Sequence, residues 1–339
     1  MTHGRLPWPL VLQVLGVVAA VWLVVATWPV WLLLFTALII AAAILPAARL
    51  GERYRVPRAV TVLIVYVAAA GIMTLMGRLL WPVLNEQWKQ FVDQLPRLVD
   101  NVKDWIGDVR VFFEQWGGAM SVPPADSLQG VAGSVLANTM RITAGTVGVL
   151  VEMLAVLVIA AYIVIDAPAI GRTLLGVLPP ANRPTATRLA PEVLDRIGGY
   201  VRGQLVSSLF VGALIAVALT LLGVRYSLLI GALAAVFNIV PFVGATLAAV
   251  LAALSALNES VTLAALTVAA MAGAQTVEGK LLAPHFVGRA TGLHPLAVLL
   301  ALLAGAHMAG LIGALVAVPF LAGFWEIART LYVEPHRDL

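Results

Sequence analysis

Between residues 226 and 325 the only Asp, Glu, Lys or Arg side chains are Glu259, Glu278, Lys280 and Arg289. They divide this third of the chain into three long uncharged stretches, 226–258, 260–277 and 290–325. An apolar helix needs about 20 residues to cross a bilayer, so 260–277 reads as one crossing. The flanking stretches, of 33 and 36 residues, are too long for one crossing and too short for two joined by a turn. Each carries helix breakers near its centre. The first has Asn238-Ile-Val-Pro241-Phe-Val-Gly244; the second has Gly305, Gly310 and Gly313, with Pro319 later. Proline removes a helical donor and clashes with the preceding turn. Within a membrane, broken backbone survives only where it is buried in protein or lines a wet cavity. The pattern therefore predicts two re-entrant helical hairpins, the first opening outward and the second inward, with 260–277 crossing between them. Transporters build sites near the bilayer centre from such broken helices. The competing topology, two single tilted spans, moves 278–289 to the outside.

The chain is 61% hydrophobic and 11% charged, with a mean hydropathy of +0.99. A soluble domain carries about 25% charged residues, so this is a polytopic membrane protein. It contains no cysteine, which excludes disulfides, thiolate-held metals and cysteine nucleophiles.

Residues 6–48 carry no charge, enough for two crossings at 9–26 and 30–48 turning near Thr27-Trp28-Pro29, and are read as a first hairpin, not a cleaved leader. The loop 49–58 holds four arginines against Glu52, which assigns it and both termini to the cytoplasm. Further crossings are expected at 59–77, 147–165 and 205–222. The net charge of +4 reads as topology and not as nucleic-acid binding. With the two hairpins, 14 of the 21 basic residues fall inside, and Arg225 alone lies in a short outer loop.

Residues 78–145 differ from the rest, with six basic and seven acidic residues. Leu84, Trp88, Phe91, Leu95, Leu98, Val102, Trp105, Val109, Phe112 and Trp116 form a heptad-like seam. The seam fits an amphipathic helix lying on its own membrane domain, or an arm that packs on neighbouring subunits. Pro96 implies two helices or one kinked helix, and Ser121-Val-Pro-Pro-Ala-Asp126 ends the run.

Glu278 is the leading functional candidate. A carboxylate near the bilayer centre costs about 2.5–3.5 kcal/mol, so it faces a cavity or a partner. It would bind a proton or cation; the structural alternative is an interfacial residue paired with Lys280. Gln275, three residues earlier, shares its helix face. Asn238 either caps a broken helix or contacts solute. Asp166 reads as a solvated residue at a span end. His285, His294 and His307 lack helical metal-pair spacing, and Gly273–Lys280 has neither the length nor the hydroxyl of a phosphate loop. No metal, no cofactor and no catalytic group is expected.

Several motifs then occur in order: Tyr200-x-x-Gly203-Gln204, Asn238-Ile-Val-Pro241-Phe-Val-Gly244, Gln275-x-x-Glu278-Gly-Lys-Leu-Leu-x-Pro284-x-x-x-Gly288, Gly292-Leu-His294-Pro295 and Gly310-x-x-Gly313-x-x-x-x-Val318-Pro319. Together they resemble the autoinducer-2 exporter family of bacterial membrane proteins, also called PerM-like permeases, over most of the chain. The resemblance implies an inner-membrane transporter without an ATPase subunit. Some relatives are regarded as exporters of the quorum-sensing signal autoinducer-2, others as sodium/proton antiporters. It also implies a homo-oligomer, with a pentamer among the assemblies. The family often has Asn at the position of Gly279 and Tyr at that of Phe242.

The resulting expectation is an all-α polytopic protein with five to six spanning helices, two re-entrant hairpins and an extracytoplasmic amphipathic segment. Its regions are 1–81, spanning helices; 82–145, the amphipathic region; 146–333, the transport domain; and 334–339, a cytoplasmic tail. The expected activity is export of a small polar molecule; cation/proton antiport and a non-transporting membrane scaffold are the alternatives. Asn238, Pro241, Gly244, Gln275, Glu278, Gly310 and Gly313 are the candidate solute- or ion-binding residues. The expected partners are the lipid bilayer, a small polar solute, and a proton or sodium ion.

Overall fold

The computed structural model describes residues 22–115, 146–241, 243–282 and 292–333, together with 15, 16, 18 and 19. Among these residues all regular structure is helical. Nine α-helices follow one another: α1 (Trp28–Arg53), α2 (Arg58–Gln115), α3 (Thr146–Ile165), α4 (Ala167–Val177), α5 (Arg183–Leu221), α6 (Ser227–Phe237), α7 (Val243–Leu257), α8 (Val261–Val277) and α9 (Pro295–Ala328). Five helical segments are long and apolar enough to cross a membrane, or six if the α3–α4 pair, bent by 75°, counts as one. The protein is therefore a multi-pass membrane protein. Most of the 9–26 crossing lies outside the described residues, as do the 121–126 breaker, Phe242, 283–291 and the tail. The break before α1 is the single residue Thr27, whose N–H donates to Leu23 and whose carbonyl accepts from Trp31.

α2 is one helix of 58 residues, roughly 87 Å at 1.5 Å per residue, far longer than a bilayer core of about 30 Å. Pro82 and Pro96 both lie on exposed faces and neither ends it. The seam on its distal part begins by packing inward: Phe91 is buried, with Leu84 and Trp88 beside it, against the core formed by α5, α6, α7 and α8. Side chains of the seam from Leu95 onward lie outside the described residues, except at positions the seam does not use.

α5 is the central element. On one side it crosses α1, where Gly198 lies against the carbonyl of Ala42 so closely that a Cβ would overlap it. Pro46 has no N–H to offer Ala42, its i−4 partner. Arg202 of α5 fills that gap, donating from Nη1 to the carbonyls of Ala42 at 3.3 Å and Ala43 at 3.1 Å. α1 also packs on α3 and the start of α2 through Ala37, Ala41, Ala48, Val62, Ala160 and Val164. On its other side α5 meets α6, where Gly212 and Gly231 bring the two backbones together.

The charged side chains gather at one end of the bundle. There Glu52 pairs with Arg58 at 2.6 Å, Arg49 with Asp195 at 3.0 Å, and the largely buried Glu326 with Arg196 at 3.1 Å. Arg58 also donates to the last-turn carbonyl of Val164 at 3.3 Å, closing α3. Asp166, just past that turn, is exposed, as a solvated span-end residue should be. The opposite end carries Arg225 and Glu259, 3.9 Å apart.

Candidate functional site

Two helical hairpins enter the bundle from opposite ends. In the first, α6 and α7 have 11 and 15 residues, about 16 and 22 Å, too short for either to cross. They are joined at 238–242, around Pro241. Gly244 packs against the backbone of Asn238, and a Cβ there would collide with it. The base of this hairpin is closed by Ser255 Oγ, donating to the carbonyl of Arg225 at 3.2 Å. α2 grips it from outside. Gln87 Oε1 accepts from the N–H of Leu229 at 2.9 Å, capping the first turn of α6 from another helix, and Phe91 stacks edge-on to Tyr226 at 5.6 Å.

The second hairpin lies within α9. Gly310 has φ +59° and ψ −140°, a conformation only glycine adopts readily, and Ala309 before it is also non-helical. In a straight helix Gly305 and Gly313 would stand about 12 Å apart. Here each lies against the carbonyl of the other, so the two arms fold back with glycine at the contact. Val240, at the first tip, packs with Tyr200 of α5 and with Leu302, Ala314 and Val318 from the arms of the second hairpin.

The chemistry sits where the first tip meets α5 and α8. Asn238 is fully buried. Its N–H closes α6 on Ala234, and its carbonyl, an orphan of the helix end, accepts from Gln204 Nε2 at 2.6 Å. Its Nδ2 donates to Glu278 Oε1 at 2.6 Å. Its Oδ1 has no partner. Glu278 is half-buried, at the point where α8 passes into a π-turn over 278–282. The carboxylate turns to Asn238, while Lys280 is exposed. α6 ends here, so its negative terminus faces the site, offset in part by the positive start of α7.

Of the residues singled out by sequence, Asn238 and Glu278 meet directly, and Pro241 and Gly244 shape the tip that holds Asn238. Gly310 and Gly313 build the second hairpin. Gln275 is exposed and is not brought to the carboxylate. Gln204 carries the network from α5 and was legible only as part of a motif. An amide within the uncharged run 203–224 is the same kind of signal that exposed Asn238. Among the described residues no group of three or more His, Asp or Glu could hold a metal ion.

The family model for AI-2E family transporters matches residues 10–332. The chain belongs to the AI-2E transporter family. It is 28% identical over 311 residues to the Bacillus subtilis (strain 168) protein named "Putative transport protein YrrI", covering 89% of this chain and 86% of that one. It is 28% identical over 334 residues to a Mycobacterium tuberculosis (strain CDC 1551 / Oshkosh) protein of the same description, MT0215, covering 96% and 89% of the two chains. A third relative, sll0063 of Synechocystis sp. (strain ATCC 27184 / PCC 6803 / Kazusa), is 30% identical over 79% of this chain and 69% of its own. The AI-2E match takes in both hairpins and the Gln204–Asn238–Glu278 network.

Proposed function

We propose that this AI-2E family member is a secondary transporter that exports a small polar solute of the autoinducer-2 class across a bacterial inner membrane. The observation that carries the reading is the Asn238–Glu278 hydrogen bond, a carboxylate tied to a break in an intramembrane helix. Protonating Glu278 removes the negative charge that Asn238 Nδ2 serves, and charge-assisted bonds are about twice as strong as neutral ones. The tip of the first hairpin is then held less firmly to α8. Proton binding and movement of the hairpin are thereby coupled, and Val240 carries that movement to the second hairpin. Gly244 and the Gly305–Gly313 contact let the backbones slide closely against one another. The positive-inside rule assigns the arginine-rich end of the bundle, with both termini, to the cytoplasm.

The decisive experiment is efflux of preloaded autoinducer-2 from proteoliposomes, with and without an imposed proton gradient. Gradient-dependent efflux that drops at least about tenfold in Glu278→Gln, with normal membrane insertion, supports the reading. Unchanged efflux in that variant removes Glu278 from the mechanism.

A second reading, cation/proton antiport, is favoured by one feature. The unpartnered Oδ1 of Asn238 lies on the side chain that already holds the carboxylate, and two oxygens of this kind suit a hard cation. Sodium-induced pH changes inside the same vesicles, without added organic solute, would select it.

A further inference from the structure

Among the described residues, four buried polar atoms have no hydrogen-bond partner: Tyr226 Oη, Thr267 Oγ1, Ser208 Oγ and Asn238 Oδ1. All four belong to residues that are at most 6% exposed. All four also lie on the elements that form or enclose the first hairpin. Tyr226 shares one core with Val211, Ile215 and Leu219 of α5 and with Met271 and Ala274 of α8. Ser208 extends that α5 stripe by one turn, and Thr267 extends the α8 stripe by one turn.

Their depths form a series. Tyr226 sits at the bundle end, between α5 and α6. Thr267 is seven residues into α8 from Ser260, about 10 Å deep, and Ser208 is thirteen residues from the end of α5, about 20 Å deep. By the same measure Asn238, on α6, lies about 18 Å deep, level with Ser208, and Gln204 and Glu278, which it reaches through hydrogen bonds, lie about 26 and 27 Å deep. The gaps, about 7 to 10 Å along the helices, span roughly two to four hydrogen-bonded steps of about 2.8 Å.

The hydroxyls elsewhere supply the contrast. Thr36, Thr74, Thr220 and Thr276 each donate to the carbonyl four residues back, the usual resort of a hydroxyl in an apolar helix. Thr276 is on α8 itself. Thr267 and Ser208 do not take that bond, although their own helices offer it. Buried polar groups without a protein partner are the places where proteins hold internal water.

We propose that a file of internal water runs through the core of the first hairpin from Tyr226, past Thr267 and Ser208, to Asn238 and Glu278, and that Glu278 exchanges its proton with the solution at the Arg225–Glu259 end along it. The exchange is a transfer between hydronium and carboxylate, leaving water and the carboxylic acid. The charged groups at the mouth are Arg225, Glu259 and Asp93; Lys280 lies beyond Glu278, and Arg202, two residues before Gln204 on α5, is turned to the α1 carbonyls. The hydration stands on the orphaned atoms alone; its role as a proton route rests on the reading of Glu278 as the coupling carboxylate.

Radiolytic hydroxyl footprinting of the full-length protein in nanodiscs tests the water directly, because bound water oxidises side chains that bulk solvent cannot reach. Tyr226 and Tyr200 are matched controls, 6% and 4% exposed and in different cores. Tyr226 is expected to oxidise at least about fivefold faster than Tyr200, and Met271 oxidation to fall by a similar factor in Thr267→Val. Equal rates at the two tyrosines, with Met271 indifferent to the substitution, would overturn the file. If Thr267→Val does not fold, Ser208→Ala carries the same comparison. Proton flux in proteoliposomes tests the route: Thr267→Val should slow it about tenfold and Thr267→Ser should restore it. Normal flux in a dehydrated Thr267→Val protein would sink the route and leave the water. Absence of proton-coupled flux in the wild type would sink the reading of Glu278, while the footprint still decides the file.

Discussion

At the scale of single residues, Asn238 carries more of the site than Glu278 does. Four of its polar groups bear on the site, and three are taken by three different partners: Ala234 in its own helix, Gln204 in α5 and Glu278 beyond α8. Replacing Gln204 with Leu leaves the buried Asn238 carbonyl unpaired, which costs about 1–3 kcal/mol. The expected result is a lower melting temperature in detergent and weaker transport, with Gln204→Glu failing to rescue because it cannot donate when ionised. A stability equal to wild type would show that the carbonyl finds another donor. Gly244→Ala places a methyl against the Asn238 backbone and should destabilise by about 1–3 kcal/mol through overpacking, read in the same melting experiment. Gly279, by contrast, has open space around its Cβ position, so Gly279→Ala is expected to be near neutral.

At the scale of elements, the seam on α2 is the instructive case. A heptad-like stripe on a long helix is compatible with many partners, and its sequence does not name one. The structure gives its first turns to the first hairpin, through Leu84, Trp88 and Phe91, and adds the Gln87 cap on α6. Tyr226, the N-cap of α6, sits at φ +60° and its side chain offers no cap bond, so the cap comes from another helix. Gln87→Ala should cost about 1 kcal/mol, the usual worth of an N-cap. Hydrogen exchange at residues 227–230 is expected to accelerate with little change in α8; protection equal to wild type would mean the α2 arm does not hold the hairpin.

At the scale of the whole molecule, the second arm of α9 is fastened to α5 by Arg196 and Glu326. Removing Arg196 leaves a carboxylate that is 9% exposed with only Arg329, 4.0 Å away, and losing the closer partner of such a pair costs up to about 3–5 kcal/mol. The double variant Arg196→Met/Glu326→Leu should be much less destabilised than Arg196→Met. If the two are equal, the pair does not act as a unit. The disposition in the membrane is open to labelling, since the native chain has no cysteine to remove. Arg55→Cys and Arg225→Cys should react from opposite sides; reaction from one side would overturn the topology.

What the sequence determines by itself is local. An uncharged run in a bilayer must satisfy its own backbone bonds, which dictates helix. Pro241 and Gly310 fix where helices break, because a missing N–H and a positive φ are properties of single residues. Hence the all-α fold, the two hairpins and the candidacy of Asn238 and Glu278 are legible in the sequence. What only the tertiary structure decided is which distant groups meet. Asn238 and Glu278 are 40 residues apart and Gln204 is 34 before Asn238. Gln275 shares a helix with Glu278 yet is exposed, while the carboxylate bonds Asn238. Hydrogen bonds between elements depend on the packing of the intervening helices, down to the glycine contacts that let α5 meet α1 and α6, and no periodicity along one chain segment encodes that distance.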